Sequence, residues 1–403
     1  MCAVASAASA EHSREGFMYV HELPPSIAAD ARKWQTAMYK QDPNYKAEWR
    51  FYSRLLNDWS LRTDRPDAAK LFYVPMWSIG AVGNTAYKHN LIHFDRVIRT
   101  LLEHRFSPLN GSKIFATQWK RNQSATVVFF GGDKGACLLP PGPIYMHHWG
   151  LQTDWAHMLD PDSYTPPKDP SDPASRYDRR CSSPSDVIVP PGVRLRRPPD
   201  PPTQDAANSS GLLPLDAPAS SYDCSLFFAG SVNKRPGTVC MQHNGSSAPC
   251  YSQGVRAAIF AHHFNRTSRF CLAERLSREA HDKLLRRSRF CLCANGEGFG
   301  IRLSLALSWG CVPLIIQPKV RQPLDDLLPY DSFSLRLGLE DIPRLHEALD
   351  RVTVAEHAKL RIAGARYVDA FNWADEHGGK AYEWVRYSLC LRAGVECEHL
   401  RPG

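Results

Sequence analysis

Short hydrophobic runs alternate with amphipathic segments in the first part of the chain. The runs have the length of strands and lie at residues 17–22, 70–74, 126–130 and 144–146. The segments between them, at 45–59 and 89–104, carry apolar residues at helical spacing. Strands that alternate with helices are typical of an α/β domain around a parallel sheet. The pattern therefore predicts such a domain over residues 17–160.

A second alternating pattern begins at residue 225, and its clearest stretch runs from 288 to 316. An apolar run at 290–294 precedes a turn with glycines at 296, 298 and 300. An apolar segment at 301–309 and a further run at 312–316 complete the stretch. These lengths and glycines favour strand, loop, helix and strand over one long helix. Because parallel strands need a crossover connection, the stretch predicts a βαβ unit.

The composition changes between these two regions. Residues 161–221 are rich in Pro, Ser, Asp and Ala, and most of them cannot bury enough apolar surface to become ordered. One apolar run at 186–189 predicts a short strand within this segment. Single cores stop growing at about 250 to 300 residues, so a chain of 403 residues indicates two domains. The predicted organisation is a disordered start (1–16), an N-terminal domain (17–160), an insertion and linker (161–221), a C-terminal domain (222–392) and a tail (393–403).

Charge and cysteine content exclude some classes of protein. The net charge of +8 is dispersed, and the basic clusters lack interleaved aromatic residues, so we expect no nucleic-acid partner. Cys291 and Cys293 alternate within a predicted strand and would point to opposite faces, which argues against a zinc site. Two closely spaced pairs are candidates for disulfides, namely Cys240 with Cys250 and Cys390 with Cys397. Buried free thiols are the alternative interpretation for Cys291 and Cys311.

Five N-glycosylation sequons occur, where chance would give about one or two. They begin at Asn110, Asn122, Asn208, Asn244 and Asn265. This excess favours a secretory compartment. No stretch approaches the 18 apolar residues of a membrane anchor. We interpret the sequence as starting after its true N-terminus; the alternative is a cytosolic chain.

The glycine-rich turn at 296–300 is suited to binding an anion. Glycines let the backbone approach a ligand closely, and the free N–H groups of the following helix point towards it. Arg302 adds a forked, permanently charged donor for phosphate oxygens. The glycine spacing matches neither a P-loop nor the dinucleotide fingerprint. A tight turn in a buried sheet is the alternative interpretation.

Eleven stretches in a fixed order resemble the exostosin-like glycosyltransferases of the GT47 type, in the style of plant and algal members. They are YVHELPP (19–25), AEWRFYSRLL (47–56), DAAKLFYVPM (67–76), DKGAC (133–137), HHWG (147–150), DVIVPP (186–191), LFFAG (226–230), YSQGVR (251–256), LLRRSRFCLCANGEGFGIRL (284–303), GCVPLIIQ (310–317) and DSFSLRL (331–337). The resemblance covers about residues 17–370. It implies a GT-B fold, in which two Rossmann-like domains face each other across a cleft.

The resemblance also implies an activity and a location. The C-terminal domain would bind a nucleotide-sugar donor, typically a UDP-sugar. The N-terminal domain would meet a glycan, polysaccharide or glycoprotein acceptor, and transfer would proceed with inversion and without a cofactor or metal. Members of the family are Golgi membrane proteins, so the Golgi membrane or lumen is the expected location. A homo- or hetero-oligomer with other transferases is compatible with this expectation.

Residue roles follow by matching motifs. The predicted donor-binding residues are Gly230, Arg256, Ser288, Gly298, Gly300 and Arg302. For Arg302 the alternative is a surface ion pair. Inverting transfer needs a base that accepts the acceptor's hydroxyl proton. Asp133, after the run at 126–130, is the first candidate and His148 the second, although an aspartate at a strand end is often only a turn or helix cap.

Three positions depart from the family pattern. Leu305 replaces an acidic residue one helical turn after Arg302, Pro318 replaces an aspartate after Ile-Ile-Gln, and Gly132 stands where a histidine often precedes the aspartate. Leucine cannot accept the hydrogen bond that a carboxylate accepts from ribose hydroxyls. These departures leave open a second interpretation, that of a catalytically silent homologue acting as a scaffold or partner of active transferases.

Overall fold

The structure is a computed structural model of the 403-residue chain. It describes residues 16–23, 27–28, 43–79, 87–103, 111–133, 135–137, 139–152, 181–193, 195, 213–215, 217–232, 239–241, 247–249, 251–267, 269–296 and 298–403. The predicted pairing of Cys240 with Cys250 and the sequons at Asn110, Asn208 and Asn244 depend on positions outside these residues. Within the described residues, no helix is long and apolar enough to cross a membrane.

The first domain is built on a six-stranded parallel sheet in the order β2-β1-β3-β4-β5-β7. Its strands are β1 (Met18–Val20), β2 (Arg62–Thr63), β3 (Leu71–Val74), β4 (Thr126–Phe130), β5 (Ile144–His147) and β7 (Val187–Ile188). The connecting helices are α1 (Ala47–Leu55), α2 (Tyr87–Glu103) and α3 (Gly111–Arg121). β3, β4 and β5 are buried along their whole length, as strands covered on both faces must be.

The second domain contains a five-stranded parallel sheet in the order β11-β8-β12-β13-β15. Its strands are β8 (Cys224–Ala229), β11 (Phe270–Ala273), β12 (Ser288–Leu292), β13 (Val312–Ile315) and β15 (Leu335–Arg336). The helices here are α4 (Val255–His263), α5 (Arg278–Arg287), α6 (Arg302–Ser308), α7 (Leu345–Arg351) and α8 (Val354–Tyr367). The βαβ unit predicted at 288–316 is confirmed, because Phe290 of β12 pairs in parallel with Val312 of β13.

Several elements cross between the two domains. A short antiparallel ladder joins β6 (Gly150–Leu151) to β14 (Val320–Arg321). The last helix, α9 (Ala381–Ala393), packs against α1 and β7 of the first domain although it follows the second in sequence. Before it, Trp373 Nε1 donates to Pro190 O at 2.8 Å. The segment before the last helix and the helix itself therefore belong to the interface, whereas the sequence pattern assigned them to the C-terminal domain alone. A separate hairpin joins β9 (Val239–Met241) to β10 (Ser247–Pro249).

Four disulfides link described cysteines. They are Cys137–Cys181, Cys224–Cys271, Cys291–Cys311 and Cys390–Cys397. The Cys390–Cys397 prediction is confirmed. The free-thiol interpretation of Cys291 and Cys311 is wrong, because adjacent parallel strands bring their Cα atoms to 5.9 Å. Cys293 is free and buried, and burial raises the pKa of its thiol to about 12.

Candidate active site

The carboxyl ends of the two sheets meet at the glycine-rich turn. Phe299 N donates to Asp133 O at 3.3 Å, which joins the turn of the second domain to the loop after β4. A Cβ atom at Gly298 would overlap with the same carbonyl oxygen. The glycine at 298 is therefore explained by a contact between domains, which differs from the predicted role of its backbone in donor binding.

Two arginines converge at the carboxyl end of β8. Arg302 starts α6, and its Nη2 donates to Ala229 O at 2.8 Å. Arg256 lies in the first turn of α4 and donates to Ser231 O, Tyr251 Oη and Ala294 O at 2.9, 2.9 and 3.1 Å. The Cζ atoms of Arg302 and Arg256 lie 4.8 and 5.2 Å from the centre of the Phe228 ring.

The electrostatics of this guanidinium pair favour an anion. Burial, together with the nearby charge of Arg302, lowers the pKa of Arg256 to about 10. Burial also lowers the pKa of Arg302. A guanidinium is effectively always protonated in proteins, yet within the described part of the chain no carboxylate forms an ion pair with either arginine. Partly buried like charges are unfavourable unless a counter-charge compensates them, so the pair is suited to hold a polyanion.

The predicted glycines differ in what they contribute. A Cβ atom at Gly230 would overlap with Arg302 Nη2, so a glycine there is required for the position of the guanidinium. At Gly300 a Cβ atom would make only ordinary contact with Ala294 O and Asn295 Cα, each at 3.6 Å. Gly230 and Arg302 thus lie together, and Gly300 lies beside Ala294, which accepts from Arg256. The predicted role of these residues in donor binding stays a prediction.

Ser288 does not join this group. It is the first residue of β12, at the amino end of the sheet, and its hydroxyl donates to Leu284 O at 2.6 Å. A strand rises by about 3.3 Å per residue, so four residues of β12 place Ser288 about 13 Å from Leu292 near the site. Ser288 therefore lies away from the guanidinium pair, and its predicted donor-binding role stays a prediction.

Asp133 lies in the turn after β4, directly beside the second domain. Tyr45 Oη donates to Asp133 Oδ1 at 3.0 Å, and the Tyr45 ring meets Phe299 edge-on at 6.1 Å. The carboxylate is half-buried, so it keeps access to the cleft. Tyr45 was not among the residues singled out from the sequence, because a tyrosine before a helix carries no signal of such a contact.

His148 lies on the same side of the cleft but is more enclosed. Its ring is 3% exposed and lies 4.7 Å from the Phe299 ring. Because a carbonyl oxygen can only accept, the bond of His148 Nδ1 to Val189 O at 2.9 Å puts the proton on Nδ1. Nε2 then has a lone pair and no partner among the described residues. Burial lowers the pKa of His148 to about 4, so the ring is neutral at pH 7.

A buried carboxyl group supports the loop that carries Asp133. Glu48 of α1 is 1% exposed and accepts from Ser78 N at 3.1 Å and from Ser78 Oγ at 2.9 Å. Ser78 Oγ in turn accepts from Gly131 N at 3.0 Å. Sequence reasoning missed this arrangement, because Glu48 falls within an ordinary amphipathic helix.

The departures noted in the sequence leave no carboxylate from positions 305 and 318 near Arg302. Leu305 is half-buried and packs against the main hydrophobic core. Pro318 contributes its carbonyl oxygen, which accepts from Gln253 Nε2 at 3.1 Å. Among the described residues, no three His, Cys, Asp or Glu side chains are grouped as metal ligands.

Comparisons with known proteins bear on the class of this chain. The exostosin GT47 domain model matches residues 201–352. A probable glycosyltransferase of Arabidopsis thaliana is 25% identical over 318 residues, which cover 78% of this chain and 51% of the relative. A probable glucuronoxylan glucuronosyltransferase of the same plant is 26% identical over 347 residues, covering 85% and 65%. The chain thus spans about half to two thirds of the length of these relatives.

Among solved structures, sucrose-phosphate synthase from Thermosynechococcus elongatus matches with a TM-score of 0.32 and 14% identity, covering 73% of this chain and 78% of that one. TarM matches with a TM-score of 0.31 and 7% identity, covering 69% and 58%. Scores this low carry no weight beside the sheet topology described above.

Two Rossmann-like domains that meet at the carboxyl ends of their parallel sheets define a protein of the GT-B class. Within that class, residues 201–352 match the exostosin GT47 domain model, in agreement with the resemblance of the ordered motifs.

Proposed function

We propose that this chain is a glycosyltransferase that moves a sugar from a UDP-sugar to a glycan, polysaccharide or glycoprotein acceptor, with inversion. The observation that carries the proposal is the pair formed by Arg256 and Arg302, which lacks a carboxylate partner among the described residues. It lies at the carboxyl ends of the strands, where open α/β sheets bind ligands. A diphosphate supplies the negative charge that this pair lacks.

The same pair would assist the chemical step. When the acceptor oxygen attacks the anomeric carbon, the bond from that carbon to the diphosphate oxygen breaks and UDP leaves with its added negative charge. Fixed positive groups stabilise charge that develops in a transition state. The reaction so described involves no cofactor, and we propose that it needs no metal.

We assign the base to Asp133. Inversion requires the acceptor to attack from the side opposite the diphosphate, and Asp133 belongs to the domain opposite the arginines. Its half-buried carboxylate would take the proton of the attacking hydroxyl, while the hydrogen bond from Tyr45 holds its orientation. His148 is the second candidate, but its ring is enclosed and less open to an acceptor than the half-buried carboxylate of Asp133.

Two further features guide the choice of donor and location. Relatives named as probable glucuronosyltransferases make UDP-glucuronic acid the first donor to test. Two sequon asparagines within the described residues, Asn122 and Asn265, are exposed, in keeping with the Golgi membrane or lumen. We propose this location on the strength of the sequons and the family.

A donor panel tests the function. UDP-glucuronic acid, UDP-glucose, UDP-galactose and UDP-xylose would each be incubated with the folded protein, with and without xylan or xyloglucan oligosaccharides. We expect one donor to release UDP and to give a product of inverted anomeric configuration by NMR. The matched control is Asp133→Asn, which keeps the size of the side chain and should reduce transfer by at least about a hundredfold. A folded protein that neither binds UDP at millimolar concentration nor releases it would contradict the proposal and favour a silent scaffold.

A further inference from the structure

Four buried polar atoms without partners are concentrated beside the guanidinium pair. They are Ser252 Oγ, Gln253 Oε1, Arg256 Nε and Asn295 Oδ1, none of which has a hydrogen-bond partner in the described part of the structure. Buried polar atoms in folded proteins are nearly always paired, and an unpaired one needs an explanation. Ser252 and Asn295 are fully buried, and Arg256 is 2% exposed.

The four atoms belong to two segments that pack against each other. Ser252 N donates to Gly296 O at 3.0 Å, and Arg256 Nη2 donates to Ala294 O at 3.1 Å. One segment thus ends in the first turn of α4, and the other follows β12 into the glycine-rich turn. One unpaired atom therefore belongs to the proposed phosphate-binding Arg256, and the other three belong to the segments that hold its guanidinium.

The orientations of the two amide groups are fixed by their other contacts. Gln253 Nε2 donates to Pro318 O at 3.1 Å, and Asn295 Nδ2 donates to Gly296 O at 3.0 Å. A carbonyl oxygen cannot donate, so each contact must be made by the NH₂ group. Both amide oxygens are consequently left as acceptors, in the same two segments that hold a hydroxyl able to donate or accept and a guanidinium N–H able to donate.

The backbone here is held in an uncommon conformation. Ser252 and Gln253 have φ values of 59° and 52°, in the left-handed region that side chains other than glycine seldom adopt. Gly254 follows with φ 78°. Such residues tend to occur at ligand-binding sites, where the surrounding structure enforces them. In this case they set the direction of the Gln253 side chain.

The complement to this set of atoms is a pair of adjacent hydroxyl groups, which donate to the two amide oxygens and accept from the guanidinium. We propose that Gln253 and Asn295 bind the ribose hydroxyls of the nucleotide donor, an inference that depends on the function proposed above. The transferred sugar also has adjacent hydroxyls. However, its reacting carbon must lie near Asp133, at the Gly298 end of the turn, whereas the unpaired atoms lie at the Gly296 end.

All four atoms are closed to solvent. A ligand therefore reaches them only when the contact between Ser252 N and Gly296 O opens. This movement would expose acceptors that already have the required orientation. Hydrogen bonds to the ribose would then compensate for those that break between the two segments.

Calorimetry with UDP, 2′-deoxy-UDP and 3′-deoxy-UDP tests the proposal. Because a buried acceptor left unpaired is costly, wild-type protein should bind UDP about tenfold or more tightly than at least one deoxy analogue. In Gln253→Leu or Asn295→Leu the ratio of the affinity for UDP to that for the deoxy analogue should approach one. This change should come from weaker binding of UDP and not from tighter binding of the analogue. Gln118→Leu removes a buried amide of the first domain whose hydrogen bonds are made within that domain, and should keep the ratio.

The outcomes separate the two proposals. Wild-type protein that binds UDP and both analogues equally would overturn the ribose assignment and leave the glycosyltransferase proposal standing, and this comparison needs no substitution. Variants that keep the wild-type ratio would also overturn it. Substitutions that weaken the binding of intact UDP-sugars but not that of UDP would overturn it as well, and would assign the residues to the transferred sugar. A folded wild-type protein with no affinity for UDP would overturn both proposals.

Discussion

The buried carboxyl group of Glu48 gives a prediction whose size follows from the structure. Burial raises its pKa from 4.5 to about 7, although the hydrogen bonds from Ser78 act in the opposite direction. In the unfolded chain the group returns to its ordinary value. Folding therefore favours the protonated form, and the contribution of this group to stability is fully present below pH 4.5 and is lost as the pH rises to about 7.

The two pKa values set the magnitude. Each pKa unit corresponds to about 1.4 kcal/mol, so the complete change amounts to about 3 kcal/mol. Part of this stabilisation is already lost at about pH 5. A further loss of about 2.5 kcal/mol remains between about pH 5 and about pH 8. Glu48→Gln keeps the size of the side chain and does not ionise. The free energy of unfolding of the variant should therefore rise relative to that of the wild type by about 2.5 kcal/mol over this interval.

Urea unfolding at several pH values, with the disulfides intact, measures this difference. The constant loss of one hydrogen bond in the variant does not affect the comparison, because only the change with pH is used. Glu274→Gln, which removes an exposed carboxyl group after β11, is the control and should leave the difference nearly constant. Parallel stability curves for wild type and Glu48→Gln would refute the reasoning.

Three further predictions concern the site and the disulfides. Arg302→Met should weaken UDP binding about ten- to a hundredfold by calorimetry, whereas Arg286→Met, which also removes a guanidinium stacked on an aromatic ring but at the far end of the domain, should not. Asp133→Asn should reduce transfer by at least about a hundredfold with UDP affinity nearly unchanged; a matching fall in affinity would contradict its role as base. Replacing Cys224 and Cys271 by serine opens a loop with a sequence separation of 47 and should cost about 4 kcal/mol in urea unfolding; a loss below about 1 kcal/mol would contradict the disulfide.

The sequence was most informative for elements whose structural signals all lie within one short stretch. The βαβ unit at 288–316 could be predicted because its run lengths, its glycines and the need for a crossover helix are all contained in one short stretch. The position of Arg302 at the start of its helix followed from the same pattern. The position of Ser288 at the amino end of β12 did not follow from it, since a motif match gives nearness in sequence but does not say at which end of a strand a residue lies.

Features that depend on distant segments could not be predicted. The Cys291–Cys311 disulfide required the register of two adjacent strands, and the contact between Gly298 and Asp133 required the two domains to be placed against each other. The position of Glu48 is similar, because nothing in its helix indicates that Ser78 and Gly131 will surround it.

Hydrophobic periodicity and ordered motifs are properties of the chain itself, and they were sufficient to predict the two α/β domains, the resemblance to the family and the place of Arg302 at the start of its helix. The folded molecule was needed to show that Arg256 joins Arg302 over one phenylalanine ring, that Asp133 contacts the glycine-rich turn of the other domain, and that the residues around Arg256 carry unpaired amide oxygens. Charge proximity, burial and hydrogen-bond satisfaction depend on distances in space, and folding brings together residues that are far apart in sequence.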